Sequence, residues 1–246
     1  MIPGRANKLL ARFVDRIAIS FADSEGYFKA HKNKVILTGN PLRKEILKID
    51  KDKALDFFGL DHRRLTVLVM GGSQGSSRIN RAFVKAAARI NDKSRFQVIH
   101  LAGSKDLNFL EEEYRNSGIS VKLFAFLEPI AYAYSASDLI ISRGGATSIS
   151  EITFFKLPAI IIPYPYAYRH QMMNACVLER NASALIIEDT ELYTDKLLKE
   201  ILESLLEHPD KLQGMASNYP QRLSSCPNDL LSEAVISLTG GPGGNV

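Results

Sequence analysis

The 246-residue chain is poor in the features that mark several large protein classes. It has two cysteines, Cys176 and Cys226, far apart and in no CxxC or Cys/His ligand spacing. That argues against a disulfide framework and a structural metal, and fits a reduced, cytosolic protein. No apolar run approaches the roughly 20 residues of a membrane span. The N-terminal stretch has no long uninterrupted apolar region, so it does not read as a secretory signal. A formal net charge of +4 is too small to argue for nucleic acid. No Asp-x-Asp pair is present to hold a metal on a nucleotide sugar, and no Ser/His/Asp ordering suggests a hydrolase. No metal and no cofactor are therefore expected.

What charge there is has a position. Residues 1–45 carry a net +5 and the remainder −1. Lys8, Arg12, Arg16, Lys29, Lys32 and Lys34 are either a solvated face or an attraction to an anionic membrane surface. Residues 1–40 offer at most two strands, 16–21 and 34–38, with short helices at 5–14 and 23–31. Two strands and two helices cannot close a core. The start is expected to be the remnant of an N-terminal domain, bounded by the turn chemistry of Gly39-Asn-Pro41.

From residue 41 to 222 apolar strands alternate with helices. Strands are expected at 65–70, 96–101, 120–125, 138–142, 159–162 and 184–187. A helix expected after 103 is capped by Ser104 and stopped by Gly118, and another runs over 191–206. Six such units predict an α/β fold with a doubly wound, six-stranded parallel sheet, whose ligands bind beyond the carboxyl ends of the strands. A helix at 223–238 is expected to return toward the N-terminal domain, and 239–246 to be a disordered tail.

Two strand–glycine–helix junctions carry the chemistry. Gly71-Gly-Ser-Gln-Gly75 is neither a GxGxxG nicotinamide fingerprint nor a P-loop, and reads as a tight turn or an oxyanion cradle. Arg143-Gly-Gly-Ala-Thr-Ser148 adds a cation. Helix starts behind glycine turns leave free amides and a positive dipole end, which suits a diphosphate. Glu151 either forms a capping box with Ser148 or accepts bonds from both hydroxyls of a ribose. Gln171 and Asn174 share a helix face beside His170 and could serve sugar hydroxyls, or sit at an exposed helix start. His100 is expected in the core rather than the crevice. The loop Tyr164-Pro-Tyr-Ala-Tyr168 is packing or a lid.

These motifs together (Gly39-Asn-Pro-Leu-Arg43, Gly71–Gly75, Ser142–Ala146 through Glu151, and His170-Gln-x-x-Asn174) resemble the C-terminal, donor-binding half of the MurG family. That family comprises the peripheral, two-domain GT-B glycosyltransferases of peptidoglycan synthesis. The resemblance implies an inverting transfer of GlcNAc from UDP-GlcNAc to lipid I, giving lipid II at the cytoplasmic face of the bacterial membrane. It implies that Arg43, Ser73, Ala146, Thr147 and Ser148 approach the diphosphate. The Leu127 backbone would read the uracil edge and Glu151 hold the ribose. Gln171, with His170 and Asn174, would hold the GlcNAc, and Arg143 would belong to the same site. The family's Gly-rich histidine loop and acceptor domain are not found, so the chain is expected to be a fragment, a mis-called start or a half that works with a separate N-terminal half. A general base is expected from that half. The rival readings are a non-catalytic UDP-GlcNAc-binding subunit and a UDP-sugar epimerase.

Overall fold

A computed structural model describes residues 3–72, 74–166, 170–193, 195–219 and 227–239 of the chain. They fall into two compact units, one from the chain's start to Arg43 together with the C-terminal segment, the other from Lys44 to Pro220.

In the first unit, helix α1 (Arg5–Leu10) precedes a pair of parallel strands, β1 (Ile17–Ile19) and β2 (Val35–Leu37). Between them the expected helix at 23–31 is a 3₁₀ run over Ala22–Lys34, interrupted where Phe28 and His31 leave helical geometry. Its core is small: Ala11, Ile19 and Phe28, flanked by Ile17 and Val35. Helix α10 (Pro227–Leu238) belongs to this unit. The Asn228 side chain ties it to the segment after β2, accepting the Leu42 amide hydrogen (2.8 Å) and donating to the Leu42 carbonyl (2.9 Å).

The second unit begins with α2 (Lys51–Phe58), capped by the Asp50 carboxylate and ended by Gly59 in the left-handed region. It continues through β3 (Leu65–Met70), α3 (Ser77–Ala88), β4 (Phe96–Leu101), α4 (Leu107–Arg115), β5 (Ser120–Phe124) and α5 (Ile130–Ala136). Then come β6 (Leu139–Ser142), α6 (Ala146–Phe155), β7 (Ala159–Ile161), α7 (His170–Arg180), β8 (Ala184–Ile186), α8 (Lys196–Glu207) and α9 (Pro209–Ser217). All six strands are parallel, in the order β5-β4-β3-β6-β7-β8. This is the doubly wound α/β sheet expected from the alternation. Odd positions of β3 and β6 (Val67, Val69, Leu139, Ile141), Ile160 of β7 and Ile162 just after it join one core with α3 and α8. Alternate positions face the other helical layer, in which α5 packs on α2 and α6, and α6 on α7.

Two local expectations shift. Helix α4 starts at Leu107 behind Asp106, not at Ser104, and ends at Arg115, before Gly118. Asp106 instead accepts from the Asn80 side chain within a buried network. The helix expected over 191–206 is divided into a 3₁₀ turn, Asp189–Tyr193, and α8. Asp189 is drawn into the sheet edge by an ion pair described below.

His100 lies in the core. The Asn80 amide nitrogen donates to Ala102 O and to Asp106, so its oxygen faces His100 Nε2 (3.1 Å), which must donate. Nδ1 then accepts from the Tyr114 hydroxyl (2.8 Å). Burial pushes the imidazole down to about 3, against a smaller upward pull from Asp106. An unfolded histidine takes up a proton near 6.5, so the unfolded state binds more protons below that pH and stability falls as pH falls. His62, pushed up by Asp56 and Asp52, contributes its share in full below pH 6.5 and does not oppose this trend. Chemical denaturation is expected to find the protein about 1.5–2 kcal/mol less stable at pH 5 than at pH 6.5. A His100→Gln variant should lose most of that slope; an unchanged slope would contradict the assignment.

Candidate functional site

The sheet order reverses between β3 and β6, because the chain leaves β3 toward β4 and β5 and returns to β6 on the other side. Met70 is in register with Ser142, so the two glycine junctions open side by side at the carboxyl edge. In open parallel sheets this switch point is where a crevice forms.

Close backbone contacts shape both junctions. Gly75, at φ +72°, packs so tightly on the loop after β4 that an added Cβ would lie 2.2 Å from Ala102 O. A Cβ on Gly144 would lie 2.4 Å from Gln171 O, so the β6–α6 turn sits directly against the start of α7. Gln171 and Asn174 reinforce that contact. Gln171 Oε1 accepts from the amides of Gly144 (3.2 Å) and Tyr164 (2.8 Å), and Asn174 Nδ2 donates to Gly144 O (2.9 Å). These bonds fix the Gln171 amide with Oε1 toward the turn and Nε2 away from it. They leave Asn174 Oδ1, in a side chain only 3% exposed, without a hydrogen-bond partner among the described residues. His170 is half-buried at the first position of α7.

Helix α6 begins at Ala146 behind Gly145, and no side chain caps it. Its first amides, those of Ala146, Thr147 and Ser148, have no intrahelical acceptor by geometry, and the positive end of the helix lies at the same place. Thr147 is exposed and Ser148 half-buried there. Because the helix starts at Ala146, Ser148 and Glu151 occupy helical positions three and six, and no capping box forms. Glu151 is buried (2% exposed), and its Oε2 accepts from the Tyr134 hydroxyl (2.8 Å). The Tyr134 ring stacks on Phe155 (5.0 Å between centroids) and so fixes the carboxylate from below.

Arg143 is nearly buried. Its Nη1 reaches Ile162 O (3.1 Å) and Asp189 Oδ2 (2.5 Å), and its Nη2 donates to Ser76 Oγ (2.8 Å). Arg78 pairs with the other oxygen of Asp189 (2.5 Å), so two cations share one carboxylate and the cluster keeps one net positive charge. Leu127 follows β5 at the same sheet edge. Ser73 lies outside the described residues, as does Arg169. Arg43 is exposed and belongs to the first unit. Tyr134, Ser76, Arg78 and Asp189 carry no motif; only their pairing in three dimensions reveals them. Among the described residues no cluster of His, Cys, Asp and Glu is arranged to hold a metal.

A parallel sheet with amide-rich glycine turns at its switch point is the Rossmann-like C-terminal domain of the GT-B glycosyltransferase class. Residues 66–226 match the glycosyltransferase family 28 C-terminal domain, and the chain belongs to that family. A relative from Halothermothrix orenii is 38% identical over 224 residues, covering 88% of this chain and 60% of its own. One from Thermodesulfovibrio yellowstonii is 40% identical over 217 residues, covering 87% and 58%. Both are named UDP-N-acetylglucosamine–N-acetylmuramyl-(pentapeptide) pyrophosphoryl-undecaprenol N-acetylglucosamine transferase. The chain thus spans about 60% of the length of these relatives. In fold it is similar to the crystal structure of Acinetobacter baumannii MurG (TM-score 0.74, 23% identity, 96% of this chain and 64% of that one). It is also similar to the Neisseria meningitidis UDP-GlcNAc 2-epimerase (TM-score 0.64, 15% identity, 94% and 63%).

Removing one partner of a buried ion pair leaves the other charge uncompensated, at a cost of about 3–5 kcal/mol. Asp189→Ala is expected to lower stability by about that much in urea unfolding, since it strands Arg143. A change below about 1 kcal/mol, the range of exposed pairs, would mean that the pair is not buried in solution.

Proposed function

We propose that this chain is the donor-binding part of an inverting glycosyltransferase that moves GlcNAc from UDP-GlcNAc to lipid I, giving lipid II in peptidoglycan synthesis. The observation that carries the reading is the adjacency of two glycine turns and an uncapped helix start at the switch point, beside a buried carboxylate. The transferase name of relatives at 38–40% identity supports it. The epimerase likeness, at 15% identity, is one of fold alone.

In this reading the diphosphate lies over the amides of Ala146, Thr147 and Ser148. Glu151, oriented by Tyr134, accepts from the ribose hydroxyls, and the Leu127 backbone reads uracil. Gln171 Nε2 donates to a GlcNAc hydroxyl and Asn174 Oδ1 accepts from one, with His170 beside them. As the acceptor hydroxyl attacks the anomeric carbon, charge develops on the departing diphosphate. Fixed amides, the α6 dipole and the net positive Arg78–Asp189–Arg143 cluster stabilise it without reorganisation.

The acceptor side and the membrane concern the first unit. Leu9, Leu10 and Phe13 are exposed (Phe13 77%) beside Lys8 and Arg12, a mixed apolar and basic surface suited to an anionic bilayer. Peripheral attachment at the cytoplasmic face follows from this reading. Strand β1 pairs with β2 alone among the described residues, beside a groove of about 460 Å³ lined by Leu10, Val14, Ile17 and Ile19. That edge suits further polypeptide of the acceptor side, such as a separate N-terminal half.

Two outcomes follow. Isothermal titration should detect UDP binding in the presence of EDTA, and Glu151→Ala should weaken UDP by roughly tenfold to a hundredfold while sparing pyrophosphate. Equal losses for both ligands would remove the ribose role. The chain should co-sediment with phosphatidylglycerol vesicles, more weakly as salt rises, and Phe13→Asp should reduce this. Equal binding to neutral vesicles would contradict the electrostatic part.

A further inference from the structure

Arg143 stands in the diphosphate motif, yet its geometry is not that of an anion ligand. From the loop after β6, its guanidinium touches the loops that follow three other strands. Ser76 follows β3, Arg143 itself follows β6, Ile162 and Pro163 follow β7, and Asp189 follows β8. Ser76 is the N-cap of α3, its Oγ also facing the Ile79 amide (3.5 Å). The guanidinium carbon lies 5.5 Å from the centre of the Tyr164 ring, whose own amide is held by Gln171. Turning this group toward a bound anion would break its bond to Asp189 and separate the two glycine turns.

We propose that Arg143 is a positioning residue: its fork-shaped guanidinium, anchored by Asp189, holds the β3–α3 and β6–α6 turns at a fixed separation, so that both present their amides to one diphosphate. The inference deepens the donor-binding reading and rests on it for the identity of the anion. The cross-link between the turns is independent of that reading. A lysine keeps the charge but cannot bridge Ser76, Ile162 and Asp189 at once, so geometry and charge can be separated.

The test uses the full 246-residue chain and two measurements. Hydrogen exchange is followed in segments 74–78, 143–149 and 162–166, with strand segments 67–69 and 139–141 as the internal control for global stability. Arg143→Lys is expected to speed exchange on the order of tenfold in both glycine turns together, leaving the strands unchanged. Ser76→Ala, a milder change at a partly exposed hydroxyl, should act in the same direction. The double variant should be no worse than Arg143→Lys alone, because both remove one link. In titrations with EDTA, Arg143→Lys should weaken UDP and pyrophosphate by the same factor, on the order of tenfold, unlike the selective loss at Glu151. Unchanged exchange in the turns, or additive effects of the two substitutions, would overturn the positioning role. So would tighter UDP binding by Asp189→Asn, the signature of an arginine released to become a direct ligand. If the wild-type chain binds no UDP, the donor-binding reading falls, and the exchange data alone decide whether Arg143 couples the turns.

Discussion

The parallel pairing of β3 with β6 is the constraint on which the site depends. Val67 to Met70 run in register with Leu139 to Ser142, and every residue of that interface is buried, and apolar but for Ser142 at the point where the chain turns out of the sheet. The hydrogen-bond ladder fixes the height at which both glycine junctions emerge. The helix starts behind them, α3 capped by Ser76 and α6 uncapped, then face the same edge of the sheet. Had the chain returned at the far side of β5, the same two motifs would lie on opposite margins of the sheet and no common anion site could form.

Close packing of backbone on backbone converts that adjacency into a rigid cradle. Gly75 meets the loop after β4 and Gly144 the start of α7, at separations that leave no room for a Cβ. Glycine at these two positions therefore answers to approach, and at Gly75 also to its positive φ. Polar side chains complete the cradle. Gln171 and Asn174 each spend one end of the amide on the Gly144 turn, and Arg143 ties the loops after β3, β6 and β7 to the Asp189 carboxylate. A buried charge pair contributes little net stability. Its value here is geometric, since it fixes loops that a dry apolar contact would let slide.

Much of this was legible in the sequence because its signals are local and periodic. Strand runs such as Leu65–Met70 and Leu139–Ser142 are apolar but for Thr66 and Ser142, as suits strands covered on both faces, and the glycine clusters mark where they end. Glu151 was legible only as a choice between a cap and a ligand. The helix start at Ala146 decides against the cap, and Tyr134, seventeen residues earlier, supplies the bond that no spacing rule announces. Asp189 and Ser76 were invisible for the same reason: their partners are distant in the chain and meet only at the sheet edge. The 3₁₀ turn at Asp189–Tyr193 reads as helix by periodicity, and the ion pair to Arg143 and Arg78 draws its first residue inward. Expectations about Ser73 and the tail from residue 240 concern positions outside the described residues.

The most direct measurement of the amide cradle is a ¹⁵N–¹H correlation titration of the full chain with UDP in metal-free buffer. Backbone amides of Gly145, Ala146, Thr147 and Ser148, with those of the Gly71–Gly75 loop, are expected to move downfield together, as hydrogen bonds to phosphate oxygens require. Amides of α6 that stay in place while UDP binds, or shifts that arise only once a divalent ion is added, would contradict a diphosphate held by glycine turns and a helix start.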